Sequence, residues 1–291
     1  MKYHWKYRVW IDQSATLFNF LFCILAIIPF IALAWVLVKN GINQLNIDLF
    51  THTSPTVIDA MLAQLGGEVI PGGILNGILG GLFMIMIAII IAAPIGICTG
   101  LYLYETRGKL ASFVRSASYM MQGVSSIVIG LIAYIWIVRT FHTFSALAGG
   151  VAFAIILLPN IIHVTVGTLK MLPGNLKENG LALGGSNAEI LLKVILPSAS
   201  KGLWGRILYT VSQTIGETAP LIMTALGASM INWNLLKPTS SISLLIWEFF
   251  NNPNLISLMW STALVLFLIV IMLNIISKRI FDNWKKRMFY G

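Results

Sequence analysis

Six stretches of this chain run for about 20 residues or more with almost no charge, and nothing else in the sequence restricts its fold so tightly. They fall at approximately 17–38, 74–103, 116–138, 144–168, 207–230 and 255–277. A segment this apolar belongs in lipid, where only a helix or a closed barrel satisfies its own backbone. At this length a helix crosses the hydrocarbon core. Composition agrees: 57% of the 291 residues are hydrophobic and 10% are charged, against about 25% charged in soluble chains. The mean hydropathy is +0.85. These features describe an all-α integral membrane protein of about six transmembrane helices, with the lipid bilayer as its main solvent.

The net charge of +9 would suit a nucleic-acid partner if it formed one face. Instead the basic residues sit in short segments between the apolar runs, so no nucleic acid is expected. The N-terminus, the 104–115 turn, the 169–206 segment and the C-terminal tail hold 16 of the 19 Lys and Arg residues. Cytoplasmic loops carry that excess, so both termini are expected in the cytoplasm. Lys2, Lys6 and Arg8 before an apolar run resemble a secretory signal, with Ala32-Leu33-Ala34 as a cleavage site. The 22 uncharged residues of Leu17–Val38 favour a retained span instead. Cys23 and Cys98 lie inside apolar runs, without a partner at disulfide or metal-ligand spacing, and are read as small hydrophobes. The 40–73 segment, with Asp48, Asp59 and Glu68, reads as a surface loop or a short interfacial helix.

The segment between the fourth and fifth spans reads as helix, turn, helix. Gly184 and Gly185 end the first helix in left-handed geometry, and Ser186 with Glu189 has the spacing of a capping box. Ile190, Leu191, Val194 and Ile195 follow at amphipathic spacing, Glu189 and Lys193 pair at i,i+4, and Pro197 is expected to stop the helix. Periodicity alone also fits an interfacial helix on lipid headgroups. The spacing of Glu178, Gly184 six residues on, Val194 ten residues further, then Leu196-Pro197, resembles the EAA loop of ABC importer permeases. Asn179-Gly180 stands where that family usually has Ala-Ala. The chain has no G-x-x-x-x-G-K-[ST] phosphate loop.

Downstream, Gly216-Glu217-Thr218-Ala219-Pro220-Leu221 narrows the resemblance to PstA-type permeases of the bacterial phosphate importer. Ala93-Pro94-Ile95-Gly96, Leu101-Tyr102-Leu103-Tyr104-Glu105, Gly123-Val124-Ser125-Ser126 and Leu158-Pro159 add to it, in order, over about residues 72–275. The PstC-type sister usually has Met after Gly-Glu-Thr.

The resemblance implies a type I ABC importer permease fold with a cytoplasmic coupling helix. It divides the chain into 1–71 (tail, first span and periplasmic loop), a permease core at 72–280 with its EAA-like loop at about 172–199, and a tail at 281–291. It implies residence in the bacterial inner membrane and coupling to an ATPase through Glu178, Gly184, Ser186, Glu189, Lys193, Leu196 and Pro197. The implied partners are a PstC-like permease, two copies of a PstB-like ATPase and a periplasmic phosphate-binding protein. Phosphate is the cargo, ATP and Mg belong to the ATPase, and this chain carries no cofactor, no metal and no catalysis.

A carboxylate at a helix centre costs roughly 2.5–3.5 kcal/mol on insertion scales and ordinarily faces a cavity or a partner, which singles out Glu217. Helical spacing sets Arg206, Thr210, Gln213, Thr214, Glu217 and Thr224 on one polar stripe, and Pro220 frees the Gly216 carbonyl. Gln213, Thr214, Glu217, Thr218, Pro220 and His163 form the expected translocation pathway. A carboxylate repels phosphate, so Glu217 is expected to pair with a partner cation; a buried hydrogen-bond network between spans is the other reading. Related phosphate permeases commonly carry arginine at the positions of Gln213 and His163. That departure keeps another oxyanion open as cargo. Three further classes compete: an ATP-independent carrier or channel relaying protons through Glu217, a purely structural subunit, and an intramembrane hydrolase. The hydrolase lacks a nucleophile with a positioned base.

Overall fold

The structure is a computed structural model and describes residues 2–66 and 70–289; Glu68 lies outside the described residues. Among the described residues the fold is helical without a β-strand, apart from a bridge between Leu226 and Thr239. Four helical stretches are long and apolar enough to cross a membrane: Arg8–Gln44, Leu75–Glu105, Ala146–Leu169 and Pro253–Met288. Pro29, Pro94 and Pro159 lie within helices, as lipid-embedded helices tolerate.

The centre of the bundle is the pair Leu75–Glu105 and Ala146–Leu169. In lipid, helices associate through close packing, and small residues let backbones approach. A Cβ on Gly96 would sit 2.7 Å from the Ile161 side chain, and one on Gly100 would sit 2.5 Å from that of Thr165. From the opposite side Gly149 receives the Met84 sulfur. Met84, Phe153, Leu157, Ile161, Leu221 and Leu244 fill the resulting core and are fully buried.

Two of the six expected spans are not straight helices. The 116–138 stretch is divided between Lys109–Gln122 and Ser126–Phe141, which meet at 104°. The bend falls on Gly123-Val124-Ser125, after a helix whose exposed Leu110, Phe113 and Met120 follow one amphipathic face. The 207–230 stretch is broken as well. Its helix ends at Ile215, a short helix Ala219–Thr224 follows, and Leu226 and Gly227 then turn with positive φ. Pro220 begins that short helix and has no N–H to donate back to Gly216.

The 40–73 segment is less peripheral than its composition suggests. It forms short helices Asp48–Thr51 and Val57–Gly66, and Leu49, Ala60 and Ile74 are wholly buried against Leu245, Phe249 and Leu258. The amino-terminal helix Lys2–Gly41 stands apart. Its docking is at its far end, where Gly41 meets Leu264 and its carbonyl accepts from Ser261 Oγ at 2.7 Å. Most of its length displays Phe, Ile and Leu side chains outward.

Candidate translocation face and coupling helix

At the end of the bundle where the basic loops gather, Asn175–Ala182 and a second helix starting at Asn187 form the expected helix-turn-helix. Gly184 alone adopts positive φ, at +82°; Gly185 is an ordinary turn residue. Ser186 Oγ accepts from the Glu189 amide at 3.3 Å, and Glu189 Oε2 accepts from the Ser186 amide at 3.2 Å, completing the capping box. Hydrogen bonds from the Ser186 hydroxyl and amide, with Lys193 Nζ 3.2 Å away, hold the Glu189 carboxyl below the usual carboxylate range. Glu178, Gly184, Ser186, Glu189 and Lys193 all stay exposed.

The apolar side of the second helix does not lie on lipid headgroups. Ile190 and Ile195 are buried with Leu169, Ala199 and Trp284, and Leu191 and Val194 pack against them. Gly180, unfavourable for helix formation, has a steric reason: a Cβ there would come within 2.9 Å of Ile190. Lys177 Nζ donates to Glu105, tying the first helix to the end of the central pair.

Pro197 does not stop the second helix. Residues 191–195 take a wide π-turn, with the Leu196 amide reaching back to Leu191, and helix Leu196–Ile215 follows without interruption. A proline ring clashes with the carbonyl four residues back and lacks a donor. The wider turn accommodates both consequences, so Leu196 and Pro197 lie within a continuous helix from 187 to 215. Gly202 and Gly205 bring this helix onto the carboxy-terminal helix Ile256–Phe289, where Trp284, Ser277 and Phe281 abut them.

At its far end the helix stops beside Glu217. The break is satisfied from a short stretch of serines that sequence reading passed over: Ser243 Oγ donates to the Glu217 carbonyl at 3.2 Å, and Thr218 Oγ1 donates to the Ser243 carbonyl at 3.4 Å. Irregular backbone at membrane depth needs such partners. The Glu217 carboxylate is half-buried and makes no hydrogen bond or ion pair among the described residues.

The expected polar stripe divides in two. Thr210, Thr214 and Thr224 are buried and donate to the Arg206, Thr210 and Pro220 carbonyls of their own helices. They are structural. Gln213 is exposed and donates to the Tyr209 hydroxyl at 3.0 Å. Arg206 reaches across to the neighbouring helix, with Nη1 3.1 Å from where a Gly167 Cβ would stand. Its guanidinium stands 5.7 Å from the centre of the Phe281 ring, in a cavity shared with Tyr209, Asn274 and Lys278, while Gly167 lies one helical turn beyond His163. Pro220 is buried, and its Cα would contact a Cβ on Gly130 at 2.7 Å.

His163 stacks on Tyr119 with ring centroids 4.1 Å apart. Its Nε2 lies 3.3 Å from Ser118 Oγ. That hydroxyl already donates to the Arg115 carbonyl, which leaves the imidazole N–H as the donor. Beside it Gln122 donates to Asn160 at 2.9 Å. The arrangement is a polar face made by Tyr119, Gln122, Asn160 and His163. Tyr119, Gln122 and Asn160 gave no sequence signal beyond their place in apolar runs; the 104° bend is what turns the first two toward His163.

Residues 92–290 match the family model described as binding-protein-dependent transport system inner membrane component. The chain belongs to this family. The matched segment contains both the helix-turn-helix and the break at Glu217. Among curated members, the chain is 31% identical to the phosphate transport system permease protein PstA of Haemophilus influenzae, over 87% of this chain and 88% of that one. It is 32% identical to PstA of Xylella fastidiosa over 82% and 81% of the two chains, and 32% identical to a probable PstA of Methanocaldococcus jannaschii over 84% and 85%. Among solved structures it resembles an inward-facing conformation of the MetNI methionine ABC transporter, with a TM-score of 0.62 and 20% identity over 72% of this chain and 95% of that chain. That likeness establishes the type I importer permease fold. As a family member, the chain is a multi-pass inner-membrane component that works with an ATPase and a substrate-binding protein.

Proposed function

We propose that this chain is one of the two permease subunits of an ATP-driven phosphate importer, forming half of the pathway while a separate ATPase supplies the energy. The observation that carries the reading is the continuous helix from 187 to 215. It begins in an exposed capping box suited to docking on another protein and ends at the broken backbone beside Glu217. Movement imposed at one end is delivered to the other. Similarity to phosphate permeases over more than four-fifths of the chain supports phosphate as the cargo.

In this reading the basic end is cytoplasmic, with both termini there, and the permease core lies within 72–280. Glu178, Gly184, Ser186, Glu189 and Lys193 meet a PstB-like ATPase, one of two copies, while Leu196 and Pro197 form the joint above it. A PstC-like permease closes the other half of the pathway, and a periplasmic binding protein delivers phosphate. ATP and Mg are bound by the ATPase; no cofactor is assigned to this chain.

The polar face accounts for phosphate recognition despite Gln213 and His163 standing where arginines are common. Arg206, whose fork meets the His163 helix at Gly167, one turn from the histidine, offers a permanent guanidinium suited to an oxyanion. Gln213, His163 and the Thr218 hydroxyl supply neutral donors, and the opened backbone at 216–218 lies beyond them. Glu217, without a partner among the described residues, pairs with a cation of the PstC-like subunit and sets the distance between the two halves.

The test is ATP-dependent uptake of labelled phosphate by the co-expressed complex in proteoliposomes, with binding protein present and sulfate or arsenate as competitors. Phosphate uptake resistant to sulfate is the expected result. Absence of phosphate uptake by a complex that still hydrolyses ATP overturns the cargo and points to another oxyanion. Uptake that survives loss of the ATPase overturns the importer. Arg206→Gln is expected to lower uptake at least tenfold in an assembled complex, with partial recovery in Arg206→Lys.

A further inference from the structure

Below His163, at the basic end, a cavity of about 430 Å³ opens where three segments meet. Thr106 and Arg107 come from the turn after Leu75–Glu105, Ser112 and Arg115 from the start of Lys109–Gln122, and Lys170 from just beyond Ala146–Leu169. Among the described residues, three cations converge on the cavity from three separate elements and no carboxylate lines it. The neighbouring acid, Glu105, is taken by Lys177. Like charges brought together by a fold without a counter-charge raise the local potential and favour an anion.

The geometry is partly fixed. Arg115 Nη2 donates to the Leu103 carbonyl at 2.9 Å, which holds the guanidinium at the wall and leaves other N–H groups of its fork free. Ser112 and Thr106 add hydroxyl donors. Lys109–Gln122 starts at Gly108 with no side-chain cap and no acidic residue in its first turn, so its first amides and its dipole add to the same field. Planar guanidinium forks with hydroxyls and an ammonium suit the oxygens of a phosphate group. The cavity is several times larger than a water site and large enough for a hydrated phosphomonoester.

We propose that this cavity is a phosphate-group site, separate from the polar face at His163, which takes either the headgroup of an anionic phospholipid or free inorganic phosphate from the aqueous side. The proposal rests on the cavity and its three cations and does not depend on which solute the complex carries. An occupant would link the turn at Arg107 to Lys170, and so brace the two central helices next to the Glu105–Lys177 contact that holds the coupling segment.

The complex, reconstituted in phosphatidylcholine nanodiscs, is titrated with inorganic phosphate and read by calorimetry. In parallel, complex purified with phosphatidylglycerol is read by native mass spectrometry for retained lipid. The decisive variant is Arg107→Gln with Lys170→Gln, which leaves the Arg115–Leu103 hydrogen bond in place; retained ATP hydrolysis shows that it has assembled. Lys201→Gln, which removes an exposed cation at the same end of the bundle but outside this cavity, serves as the control. Phosphate binding weakened at least tenfold in the double variant and unchanged in Lys201→Gln establishes the site with free phosphate as its ligand. Phosphatidylglycerol retention lost in the double variant alone establishes it with the lipid headgroup. Equal phosphate binding and equal lipid retention in the wild type and the double variant overturn the proposal.

Discussion

Gly184 occupies the one position in the helix-turn-helix where backbone conformation dictates the residue. At φ +82° a side chain costs about 1 kcal/mol or more, yet no neighbour lies within 4 Å of a Cβ there. Gly184→Ala is therefore expected to disturb the turn without any clash, so uptake falls several-fold while the amount of assembled complex is unchanged; comparing transport with pull-down of the ATPase checks this. The capping box beside it responds to pH. Because Ser186 and Lys193 depress the Glu189 carboxyl, its contribution is complete above the unfolded value near 4.3 and is lost as pH falls through the lower folded value. Protection of the amides of 187–191 against hydrogen exchange, taken relative to the intrinsic rate at each pH, is expected to fall in that acid window, and to be low at neutral pH in Ser186→Ala, whose lost cap costs about 1 kcal/mol. These residues were legible in the sequence because caps and left-handed glycines depend on neighbours three to six positions away. The approach of Arg206 to Gly167 was not legible, since it depends on how two helices cross.

Among the elements, the unbroken spans were readable from hydropathy and the broken ones were not. Hydropathy averages over 20 residues, whereas Gly123-Val124-Ser125 and Gly216-Glu217-Thr218 each redirect the chain within three. Pro197 shows the opposite error. Its local rule predicts a stop, but the π-turn before it absorbs both the ring and the missing donor. The short helix after Glu217 is wedged in place by Ser126–Phe141, where Gly130 faces the backbone of Pro220. Backbone cannot move aside as a flexible side chain can. Gly130→Ala is expected to destabilise this contact by about 1–3 kcal/mol, seen as a lower unfolding midpoint of the detergent-solubilised complex with the Asn175–Ala182 segment unaffected by exchange.

For the whole molecule, charge placement gave an orientation that the fold makes easy to test. The first helix begins and the last helix ends at the same end of the bundle, beside the helix-turn-helix. Epitope tags on both termini are expected to be cut by protease in inside-out vesicles and protected in right-side-out ones; opposite behaviour of the two tags would reverse the even span count. The amino-terminal helix docks through Gly41 and leaves most of its apolar surface facing outward, where lipid is its natural solvent.

The wide turn before Pro197 also determines how a displacement can travel. With no loop between the capping box and Gly216, the 29 residues from 187 to 215 amount to about 40 Å of continuous helix. A loop would take up small movements as changes in its own torsions. Here a rotation of about 10° at the docking end, carried rigidly over that length, shifts the opening beside Glu217 by about 7 Å. That is more than the width of a helical turn, and comparable with the size of the ion the passage has to admit or refuse.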